Sequence, residues 1–208
     1  MPILAYSNHK EQTIKNLGID MSTPEANNPE TIVNPVTGDC MTFLHTAEES
    51  QGNYAKICFD LPPRAKGSPL HYHTAMHETF TVLEGSLDME IGEKGNWRKL
   101  QPWESIQVPA GMHHSFCNNS QDWVTFTTEN RPATGFEKFI RGLYGLAIDN
   151  KVNPEGMPKN LLQLAILLKM ADTIPVGIPP FVFHLLINSL VAIARIFDVE
   201  RSLLKYWQ

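Results

Sequence analysis

The chain has 208 residues, 17 basic side chains against 22 acidic ones, and three cysteines, which fits one well-filled core with a smaller appendage. Lysine and arginine gather nowhere into a run that could track phosphates, so nucleic acid is excluded as an expected partner. Cys40, Cys58 and Cys117 are far apart and form no CxxC pair, which argues against a disulfide framework or a thiolate zinc site and for a reducing interior.

The opening "MPILAYSNHKEQT" lacks the basic start, apolar core and small-residue cleavage site of a secretory signal, and a cytoplasmic protein is expected. Residues 1–35 are polar, contain Pro24, Pro29 and Pro35, and read as an extended arm with a short helical turn. Over residues 36–132 the texture changes to short alternating runs broken by glycine and proline: "NYAKICFDL", "ETFTVLEG", "SLDMEIG", "SIQVPAG", "HSFCN" and "WVTFTTE". Short strands at this spacing predict a mainly β fold, an antiparallel sandwich or small barrel.

Residues 133–208 change character again and predict a helical C-terminal extension, through "GFEKFIRGLYGLAIDN", "NLLQLAILLKMAD" and "PPFVFHLLINSLVAIARIFDVERSLLKYW". The 181–197 run is apolar enough to raise membrane contact, but it is short for a span, which needs roughly 20 residues. It carries His184, Asn188 and Arg195 on one narrow stripe. The expectation is a helix with one polar edge that otherwise buries itself on the barrel or on a partner subunit, with membrane contact as the alternative.

Chemistry concentrates in "HYHTAMHETF". Side chains alternate across a strand, so His71 and His73 point the same way into one volume. Glu78 is an odd number of residues from His71 and reaches that volume only if "TAM" turns the chain into a new strand. On that strand Glu78 shares a face with Phe80 and Val82, which makes it inward and His77 outward. In "VPAGMHHSFCN" the same parity puts His114 in step with Phe116 and leaves His113 outward, after a turn for which Pro109 and Gly111 are suited. Parity therefore selects His71, His73, Glu78 and His114. Three neutral imidazoles and a carboxylate suit a divalent first-row metal with a position left open for water or substrate. The competing reading is four histidine and acidic side chains with ordinary hydrogen bonds.

These residues resemble the cupins. The first cupin motif, G(X)5HXH(X)3–4E(X)6G, is met by His71, His73, Glu78 and Gly85, and the second, G(X)5PXG(X)2H(X)3N, by Pro109, Gly111, His114 and Asn118. Two positions depart from the pattern: Gly67 precedes His71 by four residues, and Trp103 stands where the second motif begins with glycine. The resemblance implies a double-stranded β-helix (jelly-roll) barrel, a metal held inside it by those four residues, Gly85 at a hairpin, and commonly a homodimer. The helical tail is similar to that of some bacterial single-cupin proteins, which carries no activity with it.

Cupins host many chemistries on one fold. The functional expectation is a metal-dependent, dioxygenase-like enzyme acting on a small organic molecule, with iron, manganese, nickel, zinc, copper or cobalt as cofactor and Glu78 also available as catalytic proton acceptor. Phe80, Met89, Phe116 and Phe126 are expected to line its pocket. A non-catalytic module that anchors a small ligand on the metal is the alternative. His184 is assigned to a helix interface and not to the site.

Overall fold

Alternation of large apolar and polar residues sets the strands. Along β5 (His77–Glu84) Glu78, Phe80 and Val82 are buried, while His77 is exposed and Thr79 and Thr81 are half-buried. The computed structural model describes residues 29–133 and 135–207, and it divides the chain into two compact units, Met1–Glu30 and Thr31–Gln208. The arm expected at the N-terminus lies, over residues 1–28, outside the described residues.

Among the described residues, eleven antiparallel strands form two sheets. The six-stranded sheet runs β1 (Thr31–Val33), β2 (Cys40–His45), β3 (Ala55–Leu61), β10 (Val124–Arg131), β5 and β8 (Ser105–Val108). The five-stranded sheet runs β11 (Thr173–Pro175), β4 (Ser68–His73), β9 (His114–Cys117), β6 (Leu87–Ile91) and β7 (Trp97–Leu100). Apart from the consecutive runs β1–β2–β3 and β6–β7, neighbours in each sheet are not consecutive in sequence, as in a double-stranded β-helix. Two strands fall outside the expected 36–132 barrel: β1 pairs with β2, and β11, from the helical region, pairs with β4.

Inward-facing Phe59, Phe80, Phe116 and Phe126 meet in the barrel core, with centroids of 5.1–6.2 Å between successive ring pairs. Two glycines mark where backbone crowding excludes a side chain. Gly67 has φ +63°, and a Cβ there would stand 1.9 Å from the Phe116 carbonyl oxygen. Gly85 follows β5 at φ +74°, where a Cβ would come within 2.4 Å of the Trp123 oxygen. Trp103 also takes a left-handed conformation, φ +70°, with its ring 71% exposed. The departing motif position thus keeps the turn that favours glycine, at a steric cost for tryptophan.

Three helices follow the barrel: α1 (Phe136–Ile148), α2 (Leu161–Met170) and α3 (Pro180–Ile196). In α1, Phe136, Ile140, Tyr144 and Ala147 fall on one buried face. Asn160 caps α2 by accepting from the Leu162 and Gln163 amides. Pro180 opens α3 at a position where the missing N–H costs nothing. α3 ends at Ile196, one residue short of the expected 181–197 run. Asp198 adopts φ +51°, and two 3-10 turns, Val199–Ser202 and Leu204–Tyr206, continue at a bend of 82°.

The helices build a second core from Leu146, Ala165, Leu167, Ile174, Phe183, Ile187, Val191 and Leu203, against which Tyr72 of β4 also packs. Within this chain α3 buries one face only, and burial of its outer face on a partner subunit remains an expectation. Phe183, Ile187, Val191 and Ala194 are buried, whereas Phe181, Leu185 and Ile196 are 74%, 69% and 78% exposed. Apolar residues occupy both sides, and among the described residues only the inner side has a counterpart. Among the described residues no single helix is long and apolar enough to cross a membrane, although the bent pair of α3 and the following turns passes that test together.

Candidate metal centre

The jelly-roll crossing brings four side chains from three strands and both sheets to one point. His71 and His73 lie on β4, and His114 faces His71 across the β4–β9 pair. Glu78 comes from the opposite sheet, where β5 pairs it with Asn130 on β10 and Val108 on β8. One ligand atom from each of the four lies within 4.8 Å of all the others. His73, Glu78 and His114 are buried, and His71 is half-buried, the most accessible of the four.

The residues that parity set aside do face outward. His77 is exposed, and the His113 ring lies tilted against Tyr72, 5.3 Å between centroids, on the other side of the sheet. His184 is exposed on α3 beside Phe183. One expectation about the surroundings is corrected: Phe80, Met89 and Phe126 are 1% exposed or less and form a packed floor rather than the wall of an open pocket. Large rings buried from both sheets fill that volume with one another. Phe116 is half-buried.

Every ring in the cluster has its Nδ1 against a backbone carbonyl, to which only an N–H can donate. His71 Nδ1 donates to Pro69 O at 2.8 Å, His114 Nδ1 to Met112 O at 3.1 Å, and His73 Nδ1 to Ala171 O and Asp172 O at 3.0 and 3.2 Å. That tautomer leaves each Nε2 with a lone pair. Glu78 is fixed in the same way: Asn130, itself fully buried, donates from Nδ2 to Glu78 Oε1 at 2.6 Å, and Thr128 Oγ1 donates to Asn130 Oδ1. The other oxygen, Oε2, stands 2.6 Å from His114 Nε2 and 3.4 Å from His73 Nε2. Those three atoms are buried without a hydrogen-bond partner.

An unsatisfied buried polar atom costs about 1–3 kcal/mol, so three of them facing one another make a site that a cation would relieve. The chemistry of the donors fits a divalent metal: lone pairs converge, and each ring is oriented from behind by a carbonyl. Electrostatics agree for His71 and Glu78, while Glu78 draws His73 toward its protonated form. Burial, followed by the facing His114 and His73, pushes His71 down to about 3, which keeps it neutral. For His73 burial is the largest influence and pulls downward, but Glu78 and the Asp172 and Ala171 carbonyls together raise it. For Glu78 burial pushes upward and is outweighed by His114 and His73, so it stays ionised.

Sequence reasoning missed Asn130. Its signal was present, because it lies in step with the inward Phe126 and Thr128 on β10. Asn118, the last motif residue, has a different job. Its Nδ2 donates to the carbonyls of Leu61, Pro62 and Asp122, and its Oδ1 accepts from Ser120. It pins the 118–122 turn and does not approach the ligand set.

The fold and the four converging side chains agree with a family match over part of the chain. Residues 58–128 match the cupin domain family Cupin_2. The barrel is a cupin domain. Solved structures similar to the chain include KdgF from Halomonas sp. (20% identity, 46% of this chain and 79% of that one, TM-score 0.39). Others are a sugar phosphate isomerase of the cupin superfamily from Silicibacter pomeroyi (21%, 52% and 74%, TM-score 0.45) and the polyketide cyclase RemF from Streptomyces resistomycificus (19%, 54% and 80%, TM-score 0.44). No curated protein matches the chain. The matched segment contains all four candidate ligands but ends before Asn130.

Proposed function

We propose that this cupin binds a divalent first-row transition metal through His71, His73, Glu78 and His114, and that the loaded site carries out a dioxygenase-like reaction on a small organic molecule. The observation that carries the reading is the convergence of three Nε2 lone pairs and one carboxylate oxygen, all buried or half-buried and each oriented by a hydrogen bond on its far side. Imidazole and carboxylate together suit iron, manganese, nickel, copper, cobalt or zinc. When bound, the metal would supply Lewis acidity and an open coordination position for a substrate oxygen or dioxygen.

The chain's own residues do the rest. Half-buried His71, the most accessible of the four, marks the side from which a small molecule would enter, and the ring floor of Phe80 and Phe126 keeps water from the opposite side. Asn130 holds Glu78 Oε1, so Oε2 is the atom aimed at the centre, placed to accept a proton from an enediol or flavonol hydroxyl. Elemental analysis of the purified full chain, followed by oxygen uptake with a flavonol, tests the reading. Stoichiometric metal with oxygen consumption supports it, tight binding of the flavonol without turnover would make the protein a metal-anchored sensor, and absence of metal after reconstitution would sink it.

A further inference from the structure

The orienting partner of His73 comes from outside the cupin barrel. Met170 ends α2, and Ala171 and Asp172 lead into β11, which pairs with the ligand strand so that Thr173 lies opposite His73 and Pro175 opposite His71. At this junction the Ala171 and Asp172 carbonyls both accept from His73 Nδ1. The Asp172 carboxylate turns the other way and grips the turn that leaves His73. It accepts from the Thr74 amide at 2.6 Å, the Ala75 amide at 2.8 Å and Thr74 Oγ1 at 2.8 Å.

One residue therefore touches both sides of the link between two ligands. Its carbonyl helps to aim the His73 ring, and its carboxylate shapes the 74–76 turn that carries the chain from His73 to the strand of Glu78. Asp172 sits at φ +50°, a conformation that aspartate, asparagine and glycine tolerate better than other residues. Behind the strand, Tyr72 packs into the helical core, and Val176 N donates to Leu70 O at 3.1 Å. These contacts clamp the ligand strand from its outer face and edge.

We infer that Asp172 is a positioning residue of the metal centre, through which the helical extension sets the geometry and the affinity of the site inside the barrel. This inference rests on the proposed metal reading and deepens it. Neither the cupin motifs nor the matched segment contains Asp172. The residue acts through His73 and the 74–76 turn, without itself offering a ligand atom.

The test compares wild type, Asp172→Gly, Asp172→Asn and Val191→Ala by cobalt(II) affinity in chelator competition and by the visible spectrum of the bound cobalt. Glycine accepts the same backbone angle but deletes the carboxylate, whereas asparagine keeps both the angle and an acceptor oxygen. Val191→Ala loosens the helical core without touching the site. The expected result is a loss of about 10–100-fold in affinity for Asp172→Gly, the size seen for outer partners of metal ligands, with an altered cobalt spectrum. Asp172→Asn recovers most of the affinity and the wild-type spectrum, and Val191→Ala leaves both unchanged. Wild-type affinity and spectrum in Asp172→Gly would overturn the inference, as would an equal loss in Val191→Ala, since that makes the effect one of general loosening. Failure of the wild type to bind cobalt would instead overturn the metal reading, and this inference with it.

Discussion

The barrel interior and the outer side of α3 place their side chains in opposite ways. Glu78 and His114 are 4% and 1% exposed, although a carboxylate and an imidazole are the groups that gain most from water, while Phe181 and Ile196 are 74% and 78% exposed. The costs differ. Burying the polar cluster is expensive unless its atoms are paired, and each far-side atom is indeed held by Asn130 or by a backbone carbonyl. Leaving apolar side chains in water forfeits only the gain from burial. The barrel site is thus determined atom by atom from within the chain, whereas α3 is determined on its inner face alone.

The comparison breaks most sharply at a ligand. His114→Ala should lower metal affinity by more than about 100-fold, beyond the range for loss of an outer partner, as measured by chelator competition. On the helix, Ile187→Ala on the buried face should cost about 2–5 kcal/mol in urea unfolding. A cost near zero would mean that the second core is not cooperative with the barrel. Asn130→Ala frees Glu78 Oε1 and should weaken metal binding about 10–100-fold while leaving the metal content measurable at excess metal. Trp103→Gly should raise stability by about 1 kcal/mol by relieving the left-handed backbone, read as a higher urea midpoint at unchanged slope. The smallest effects belong to His77→Ala and Leu185→Ala. Both should stay within about 0.5 kcal/mol of wild type, with metal content unchanged, and a loss of metal in His77→Ala equal to that in His114→Ala would defeat the parity assignment of ligands.

Parity made the four candidate ligands legible because a strand has only two faces and a packed barrel has only one inside. The helices were legible from their spacing, but the bend after α3 was not. The apolar pattern continues past residue 196, and the stop comes from one left-handed residue, Asp198. Asn130 obeys the same parity as the ligands, yet a single asparagine near "NRP" reads as turn chemistry. Asp172 was beyond reach for a different reason. Its hydrogen bond to the Thr74 amide spans 98 residues, and no local pattern in either segment names the other. The β11 strand is only three residues long and sits between two helices, too short for alternation to register.

Strand β4 is a wall shared by two rooms. His71 and His73 face the barrel, and Tyr72, between them, faces the helical core. A slip of one residue reverses every side chain of a strand, so a single insertion or deletion near Pro69 and Leu70 would push a tyrosine into the ligand cluster and two histidines into the apolar helices together. Such a strand has no half-damaged register. Selection for a foldable chain and selection for an intact site act here on the same count of residues, and the reading frame of β4 is guarded from both sides.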